Sequence, residues 1–464
     1  MLSWFRTLIA AGASFGAAWA GAVWYWRANN VAPGSGDLAL YLLVVPTVLL
    51  LSALGIAKLR ERMNAAPATP SANAAATPAA AAQAADVAAV APLAIVAAAV
   101  HVPHGASVHA WRDALAEGNA RPALDDELID DYGYPVMAAR IADLDDEPVR
   151  EAVTAWLAGR TVPFDDAQWR ALAAGQAVAT ELAAPLADHP ALAQHAARVD
   201  TREPSPLPQL QLHFALPADW TPPQRDAAAG WFAHVVAHTA GWPAERIAAA
   251  VTDDAAATLA RLFPADGQGV LAALLACGSQ LDTATVDHLA AGGKLFTARQ
   301  QQGRIPGEGA AALLVADAAQ GALLGAADNG LGVLRAVASG QREQDADTAR
   351  RTDAQALQAA CTQALERAHV TPDQVAFIAA DTDHRTGRVM ELMAVLPERM
   401  PQLDATTDIV SAGSACGACA PVPFVAALAL AAVEAHERAA PVLCVGNLDP
   451  YRRDVAVIAP PAAA

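Results

Sequence analysis

Residues 303 to 315 read Gly303-Arg304-Ile305-Pro306-Gly307-Glu308-Gly309-Ala310-Ala311-Ala312-Leu313-Leu314-Val315, a tight glycine- and proline-rich turn followed by an apolar run. A continuous apolar run that begins directly after such a turn is typical of a buried strand. The glycines on both sides of Glu308 allow neighbouring backbone to approach closely, so its carboxylate can accept main-chain N–H groups. This stretch therefore predicts a loop that leads into a core strand, with Glu308 in a structural role.

The composition favours a globular protein with a large core and argues against nucleic-acid binding and a disulfide framework. The chain of 464 residues has a hydrophobic fraction of 54% and a formal net charge of −18. A chain of this length can bury a large core, and its acidic balance argues against a nucleic-acid-binding surface. Its five cysteines are an odd number, which indicates reduced thiols in the cytosol rather than a disulfide framework.

Two apolar runs near the N-terminus predict a transmembrane helical hairpin in residues 1–63. Leu8–Tyr25 and Leu38–Ala57 both have spanning length, and aromatic side chains crowd the ends of the first run. A signal peptide with its cleavage site at Ala18-Trp19-Ala20 is the alternative for the first run. Three basic residues follow the second run and only Arg27 lies between the runs, so the positive-inside bias places the rest of the chain on the cytoplasmic side of a bacterial inner membrane.

The rest of the chain divides into a linker and a soluble body. Residues 64–91 are mostly alanine, with prolines at positions 67, 70 and 78, which is typical of a tether, and a helix over Ala79–Val90 is the alternative. In the body, strand patterns alternate with helical patterns and favour a layered α/β architecture, with a first half at 92–325 and a second half at 326–464. Single helices are predicted over Glu151–Ala174 and Ala244–Phe263.

The body resembles the β-ketoacyl synthases of the thiolase-like superfamily in the order of its motifs. The turn around Glu308 resembles the GEGA turn of that family, and Pro103 and Gly105 occupy the turn ahead of a helix. In the second half, Ser411–Ala418 resembles the TGHxxGA segment, and Val442–Ile458 resembles the two closing strands. The resemblance implies the thiolase-like five-layered α/β fold, built from two related halves, and a homodimer as the common assembly.

The resemblance also implies positions for three catalytic groups, which this chain lacks. The family uses a cysteine nucleophile and two histidines, and a carboxylate cannot take the thiolate's part in its acyl transfer. The nucleophile position falls in Thr252-Asp253-Asp254, the first histidine position on Asp381, with His384 three residues late, and the second on Ser414. Asn447–Arg453 replaces the family's glycine-rich loop. We therefore predict a body with no catalytic residue, no cofactor and no metal.

Other candidate sites have ordinary explanations. Cys416-Gly417-Ala418-Cys419 is a CxxC motif without the second ligand pair that zinc requires, which favours buried small residues. His101, His104 and His109 form either a metal site or a set of surface histidines near a turn. The acidic run Asp125-Asp126-Glu127 predicts a solvated surface or a partner-facing patch.

An anchored body without catalytic groups predicts a membrane-tethered cytoplasmic adapter that binds another protein. Ala110–Leu115 and Asp131–Pro135 resemble stretches of the type VI secretion lipase adapter proteins, which implies a lipase effector as the partner. Two alternatives stay open. One is an inactive ketosynthase partner subunit, similar to a chain-length factor, and the other is a divergent β-ketoacyl synthase that acts on acyl thioesters through Cys277 or Cys416.

Overall fold

The computed structural model describes residues 91–130, 132–198, 205–263, 269–326, 330–349, 351–395 and 400–461. The hairpin predicted for residues 1–63 and residues 64–90 of the predicted linker lie outside these ranges. Within these ranges, no helix combines the length and the apolar character needed to cross a bilayer.

Strands and helices are interspersed along the described residues. The strands are β1 (Leu93–His101), β2 (Ala123–Ile129), β3 (Pro135–Ala138), β4 (Leu210–Ala215), β5 (Ile247–Thr252), β6 (Leu271–Ser279), β7 (Glu308–Ala316), β8 (Gly332–Gln341), β9 (Phe377–Ala380), β10 (Ile409–Ser411), β11 (Val442–Gly446) and β12 (Arg452–Ala459). The α-helices are α1 (Val108–Ala116), α2 (Glu147–Leu157), α3 (Asp166–Ala187), α4 (Pro190–Ala196), α5 (Pro222–Ala240), α6 (Ala255–Leu262), α7 (Thr283–Ala291), α8 (Ala318–Leu323), α9 (Gln355–Ala368), α10 (Thr386–Met393), α11 (Ala412–Cys416) and α12 (Val422–Arg438).

A ten-stranded mixed sheet forms the centre of the body, in the order β10-β9-β11-β12-β8-β1-β7-β6-β4-β5. β7 pairs antiparallel with β6 from Ala316 opposite Leu271 to Glu308 opposite Ser279. Every residue of β7 is buried, because helices cover both faces of this part of the sheet, as its unbroken apolar sequence predicts. β2 and β3 form a separate two-stranded sheet.

We call the side of the sheet with β6 and β7 its first arm and the side with β9, β11 and β12 its second arm. The helix α12 packs between these two arms. It contacts β6 and β7 on one arm and β9, β11 and β12 on the other. Its residues from Val422 to Ala435 are all buried, which fits a helix that is apolar on nearly every side. α3 covers the outer face of the first arm and α9 the outer face of β8 and β12. The order of layers is therefore helix, sheet arm, central helix, sheet arm and helix.

The single helix predicted over Glu151–Ala174 is wrong, because the chain breaks between α2 and α3. Ala158, directly after α2, has a left-handed backbone with φ of 49°, and Gly159 follows with φ of 86°. α3 begins after Asp165, which accepts the N–H of Gln168 while the Gln168 side chain accepts the N–H of Asp165. This capping box stabilises the start of a second helix.

The helix predicted over Ala244–Phe263 is also wrong. Its first part contains β5, which pairs parallel with β4 at the end of the sheet. Alanine favours helices when it is considered alone, but pairing with β4 decides the conformation here. The helix α6 begins only after Asp254, whose carboxylate accepts the N–H of Ala257 at 2.8 Å. As a result, Asp253 and Asp254 form a short loop between a strand end and a helix start.

Candidate functional site

A cavity of about 350 Å³ lies where the ends of β4, β5, β9 and β11 meet the start of α12. The carboxyl ends of neighbouring strands are common places for ligand sites in α/β folds. The apolar part of the wall includes Leu216, Ala256 and Phe424, and the polar part includes five aspartates and three arginines. The charged residues are Asp253, Asp381, Asp383, Asp449, Asp454, Arg304, Arg385 and Arg452.

The position expected for a nucleophile holds two carboxylates that already have partners. Asp253 lines the cavity and forms an ion pair with Arg225. Asp254 caps α6, and its second oxygen lies 2.7 Å from Nη1 of Arg452. The nucleophile position therefore lies at a helix start and holds acids that arginines neutralise instead of a thiol.

Asp381, at the first expected histidine position, anchors the loop after β11. Its Oδ1 accepts the N–H groups of Asn447 at 2.7 Å and Leu448 at 3.0 Å. Burial raises the pKa of Asp381 to about 7, and the nearby Asp454 acts in the same direction, while the two main-chain hydrogen bonds oppose the shift. Burial also raises the pKa of Asp454, whose carboxylate accepts the hydroxyl of Ser339 at 2.6 Å.

The remaining residues considered for the histidine roles do not line the cavity. Ser414 donates its N–H to the carbonyl oxygen of Thr382 at 3.1 Å and is half-buried. The ring of His384 packs edge-on against Phe296, with 5.1 Å between the ring centroids. Its buried Nε2 forms no hydrogen bond with the described residues. A shift of His384 into the catalytic role is therefore not seen.

All five cysteines are buried and reduced. Burial raises the pKa of the Cys277 and Cys444 thiols. In the CxxC motif, the Cys419 thiol donates to the carbonyl oxygen of Cys416 at 3.4 Å, and its hydrogen bond with the Cys416 side chain, together with burial, raises its pKa. A protonated thiol away from solvent is a poor nucleophile, and none of these residues lines the cavity.

The histidines and the acidic run have separate surroundings. Among the described ranges, no three His, Cys, Asp or Glu side chains are arranged to hold a metal ion. Nε2 of the exposed His104 lies 2.9 Å from the carbonyl oxygen of Arg121. The prediction that Asp125 is a solvated residue is wrong, because it is buried and its carboxylate lies 2.6 Å from Nε of Arg140. Its neighbours Asp126 and Glu127 are exposed.

Glu308 is fully buried at the start of β7. Its Oε1 accepts the N–H of Ile141 at 2.8 Å, which agrees with the predicted main-chain contact. The larger interaction was not predicted: Arg170 of α3 donates Nη2 to Oε1 at 2.6 Å and Nε to Oε2 at 2.8 Å. The sequence does contain a signal for this pair. Arg170 stands among the apolar residues of a helix face that is buried, and a charge in that position needs a buried partner.

The edge of the sheet at β5 is a second candidate site. Among the described residues, β5 has a strand partner only on its β4 side. Ala248, Ala249 and Ala250 are exposed. An unpaired edge offers main-chain N–H and C=O groups to another chain. The sequence does not predict this sheet edge, because the alanine-rich sequence of β5 favours a helix.

Comparisons with known proteins support the fold. The chain matches no model of a known protein family and no curated protein. It is similar to a solved complex of an acyl-carrier protein of a type II polyketide synthase with its ketosynthase, with 14% identity, a TM-score of 0.55, and coverage of 80% of this chain and 99% of that chain. The ishigamide ketosynthase/chain length factor gives 14% identity, a TM-score of 0.53, and coverage of 80% and 100%. An oxazolomycin ketosynthase domain from Streptomyces albus has 14% identity and a TM-score of 0.55, and the match covers 79% of this chain and 74% of that chain.

This likeness shows the fold alone, because the identities are low. The prediction of a mixed α/β fold of the thiolase-like, ketosynthase type is confirmed. The resemblance to type VI secretion lipase adapter proteins finds no support among these structures.

Proposed function

We propose that the protein is a non-catalytic ketosynthase-like subunit whose task is to bind another protein chain, as a chain length factor is paired with a ketosynthase. The observation that carries this proposal is the loop between β5 and α6. Asp253 and Asp254 stand where the acyl acceptor would be needed, and arginines already neutralise both. A carboxylate has no sulfur atom, so it cannot form the acyl thioester that the reaction passes on.

The charge of the cavity supports the same proposal. Acyl transfer develops negative charge on an oxygen, and enzymes place hydrogen-bond donors or cations around it. The polar wall here includes Asp381 and Asp454, two buried carboxyls that interact electrostatically. Neither group is a cation, and the ionised form of either one raises the energy of a neighbouring oxyanion in a water-poor site. The divergent-enzyme alternative would also need Cys277 or Cys416, which are buried outside the cavity wall.

The binding surface that we propose is the outer edge of β5. Edge strands bind other chains by main-chain hydrogen bonds, and small side chains allow a second strand to approach. The exposed alanines at 248–250 meet that requirement. The partner is a second copy of this chain or a related ketosynthase-like subunit.

A membrane-tethered adapter is the second candidate. The observation that favours it is the pair of apolar runs at Leu8–Tyr25 and Leu38–Ala57, which a purely soluble subunit does not need. In this candidate, residues 1–63 form a transmembrane hairpin, 64–91 form a linker, and the halves 92–325 and 326–464 face the cytoplasm. The partner would be a protein such as a lipase effector.

The partner and the surface are tested together by co-purification from the native cells. Full-length protein with an affinity tag is isolated next to a second, differently tagged copy, and the bound chains are identified by mass spectrometry. We expect a second copy or a ketosynthase-like chain to be recovered with the wild type and with Ala193→Lys, an exposed control on α4, but not with Ala249→Lys. Recovery of the same chain with Ala249→Lys would contradict the β5 edge, and recovery of a lipase would favour the adapter.

A further inference from the structure

The hairpin of β2 and β3 carries most of the strongly exposed large apolar side chains of the described residues. Seven large apolar side chains are strongly exposed among the described residues, and four of them lie within residues 124–134. We call these four the hairpin patch: Leu124 (63% exposed), Ile129 (53%), Tyr132 (85%) and Tyr134 (68%). A concentration of this kind marks an interaction surface more often than scattered apolar residues do.

The patch is exposed although the hairpin beneath it is well packed. Leu128 and Val136, on the inner face of the hairpin, are buried against Val286 and Leu289 of α7. The inner and outer faces therefore differ as expected for a two-stranded sheet with one solvated side. The tyrosines are therefore accessible on a hairpin whose inner face is packed.

At the tip of the hairpin, one carboxylate binds the main chain of both tyrosines. The Oδ1 atom of Asp130 accepts the N–H groups of Tyr132 and Tyr134, each at 2.9 Å. The main chain closes the turn, since the N–H of Asp130 donates to the carbonyl oxygen of Tyr134 at 2.9 Å. Gly133 has φ of 80°, a conformation that favours glycine. Aromatic side chains have few rotatable bonds, so they lose little conformational entropy when they bind.

The charges around the patch define the chemistry of a partner. Asp126, Glu127 and Asp130 are exposed or half-buried beside the apolar side chains. Arg140 is committed to Asp125 and Glu127, whereas Asp126 and Asp130 form no ion pair among the described residues. A surface that covers this patch must supply positive charge, and an arginine can also stack on an exposed tyrosine ring.

We propose that the hairpin patch docks a protein segment that carries arginine or lysine beside apolar side chains. Tyr132 and Tyr134 would supply the apolar contact, and Asp126 and Asp130 would pair with the cations. A second copy of the hairpin would bring like charges together, and an anionic lipid surface would repel the same carboxylates. This surface is separate from the β5 edge and from the cavity, so the proposal goes beyond the proposed function and does not depend on it.

The test uses a fluorescent label placed beside the patch. Ala123 begins β2 and is exposed, and the five native cysteines are buried, so Ala123→Cys provides one reactive thiol for an environment-sensitive dye. Full-length labelled protein in a neutral detergent is titrated with a synthetic peptide of alternating arginine and leucine. A matched peptide with glutamate in place of arginine serves as the control ligand.

We expect the dye emission to shift with the arginine peptide and not with the glutamate peptide. Tyr132→Ser combined with Tyr134→Ser should weaken the binding of the arginine peptide by about tenfold or more. Leu323→Ser, at an exposed apolar residue outside the hairpin, should leave that binding unchanged.

Equal binding of the arginine peptide by the double tyrosine variant, or a preference for the glutamate peptide, would overturn the proposal. A shift caused by adding phosphatidylglycerol to the micelles would assign the patch to a membrane, and a shift caused by raising the protein concentration alone would assign it to a second copy. Either result would also overturn the proposal. The β5 edge is unaffected by these outcomes, because Ala249→Lys tests it separately.

Discussion

Arg170 and Glu308 form a two-point ion pair that connects α3 to the first residue of β7, with nitrogen–oxygen distances of 2.6 and 2.8 Å. The two residues are 138 positions apart in the sequence. Glu308 is fully buried, and Arg170 also donates Nη2 to the carbonyl oxygen of Ile141 at 3.2 Å. The pair therefore fixes the turn that leads into the core strand.

Glu308→Ala should destabilise the protein strongly, because it leaves the guanidinium of Arg170 without its acid partner. Removing one member of a buried ion pair typically costs about 3–5 kcal/mol. Chemical denaturation followed by circular dichroism measures the loss. Asp113→Ala is the control, since Asp113 pairs with Arg112 at an exposed site and such pairs contribute about 1 kcal/mol or less. An equal decrease in the free energy of unfolding for the two variants would show that the Arg170–Glu308 pair contributes no more to stability than an exposed pair.

Asp381 should make the protein less stable as the pH rises from about 4 to about 7. Its pKa is 3.8 ordinarily and about 7 in the folded state. Between these values the folded state holds a proton that the unfolded state has released, so the free energy of unfolding falls with increasing pH. Asp381→Asn, which keeps an acceptor for the N–H groups of Asn447 and Leu448, should remove this slope. Above pH 7 it should be more stable than the wild type by about 1 kcal/mol or more.

The pH dependence is measured by urea denaturation at a series of pH values. The control is Asp404→Asn, because Asp404 is exposed and hydrogen bonds to Thr406 lower its pKa. A wild-type slope that persists in Asp381→Asn would mean that another group releases the proton.

Gly307→Ala should prevent normal packing of the turn before β7. A Cβ atom at this position would lie 2.0 Å from the carbonyl oxygen of Cys416, so the turn or α11 would have to move. Gly387→Ala is the matched control, since a Cβ at Gly387 would meet no atom within 4 Å and alanine favours the helix α10. We expect a large loss of soluble, folded protein for the first variant and none for the second. Normal thermal unfolding of Gly307→Ala would contradict the close approach of the two backbones.

Local patterns predict the parts of this fold that are buried on both faces. β7 is predicted from its run at Ala310–Val315, because a strand covered by helices on both sides is apolar along nearly all of its length. The break between α2 and α3 has local signals in Gly159 and in the capping pair of Asp165 and Gln168. These residues are sufficient local signals to separate the two helices.

The parts that were missed depend on contacts that a local pattern does not contain. β5 is a strand because its main chain pairs with β4, from Leu210 opposite Ile247 onward. Arg170 and Glu308 are 138 positions apart, so a local pattern cannot show that they pair. The cavity is a similar case: the positions of Asp253 and Asp381 followed from the family resemblance, but their partners Arg225 and Asn447 come from other elements.

The central claim, that the cavity has lost acyl-transfer chemistry, is tested most directly by mass spectrometry of the intact full-length protein after incubation with acyl and malonyl thioesters. An active ketosynthase treated in parallel serves as the positive control. We expect no acyl adduct and no decarboxylation above background, because the nucleophile position holds Asp253 and Asp254 and the cysteines are buried. A stable adduct on Cys277, Cys416 or Cys419 that disappears together with turnover on Cys→Ser substitution would contradict the claim and show that the protein is an enzyme.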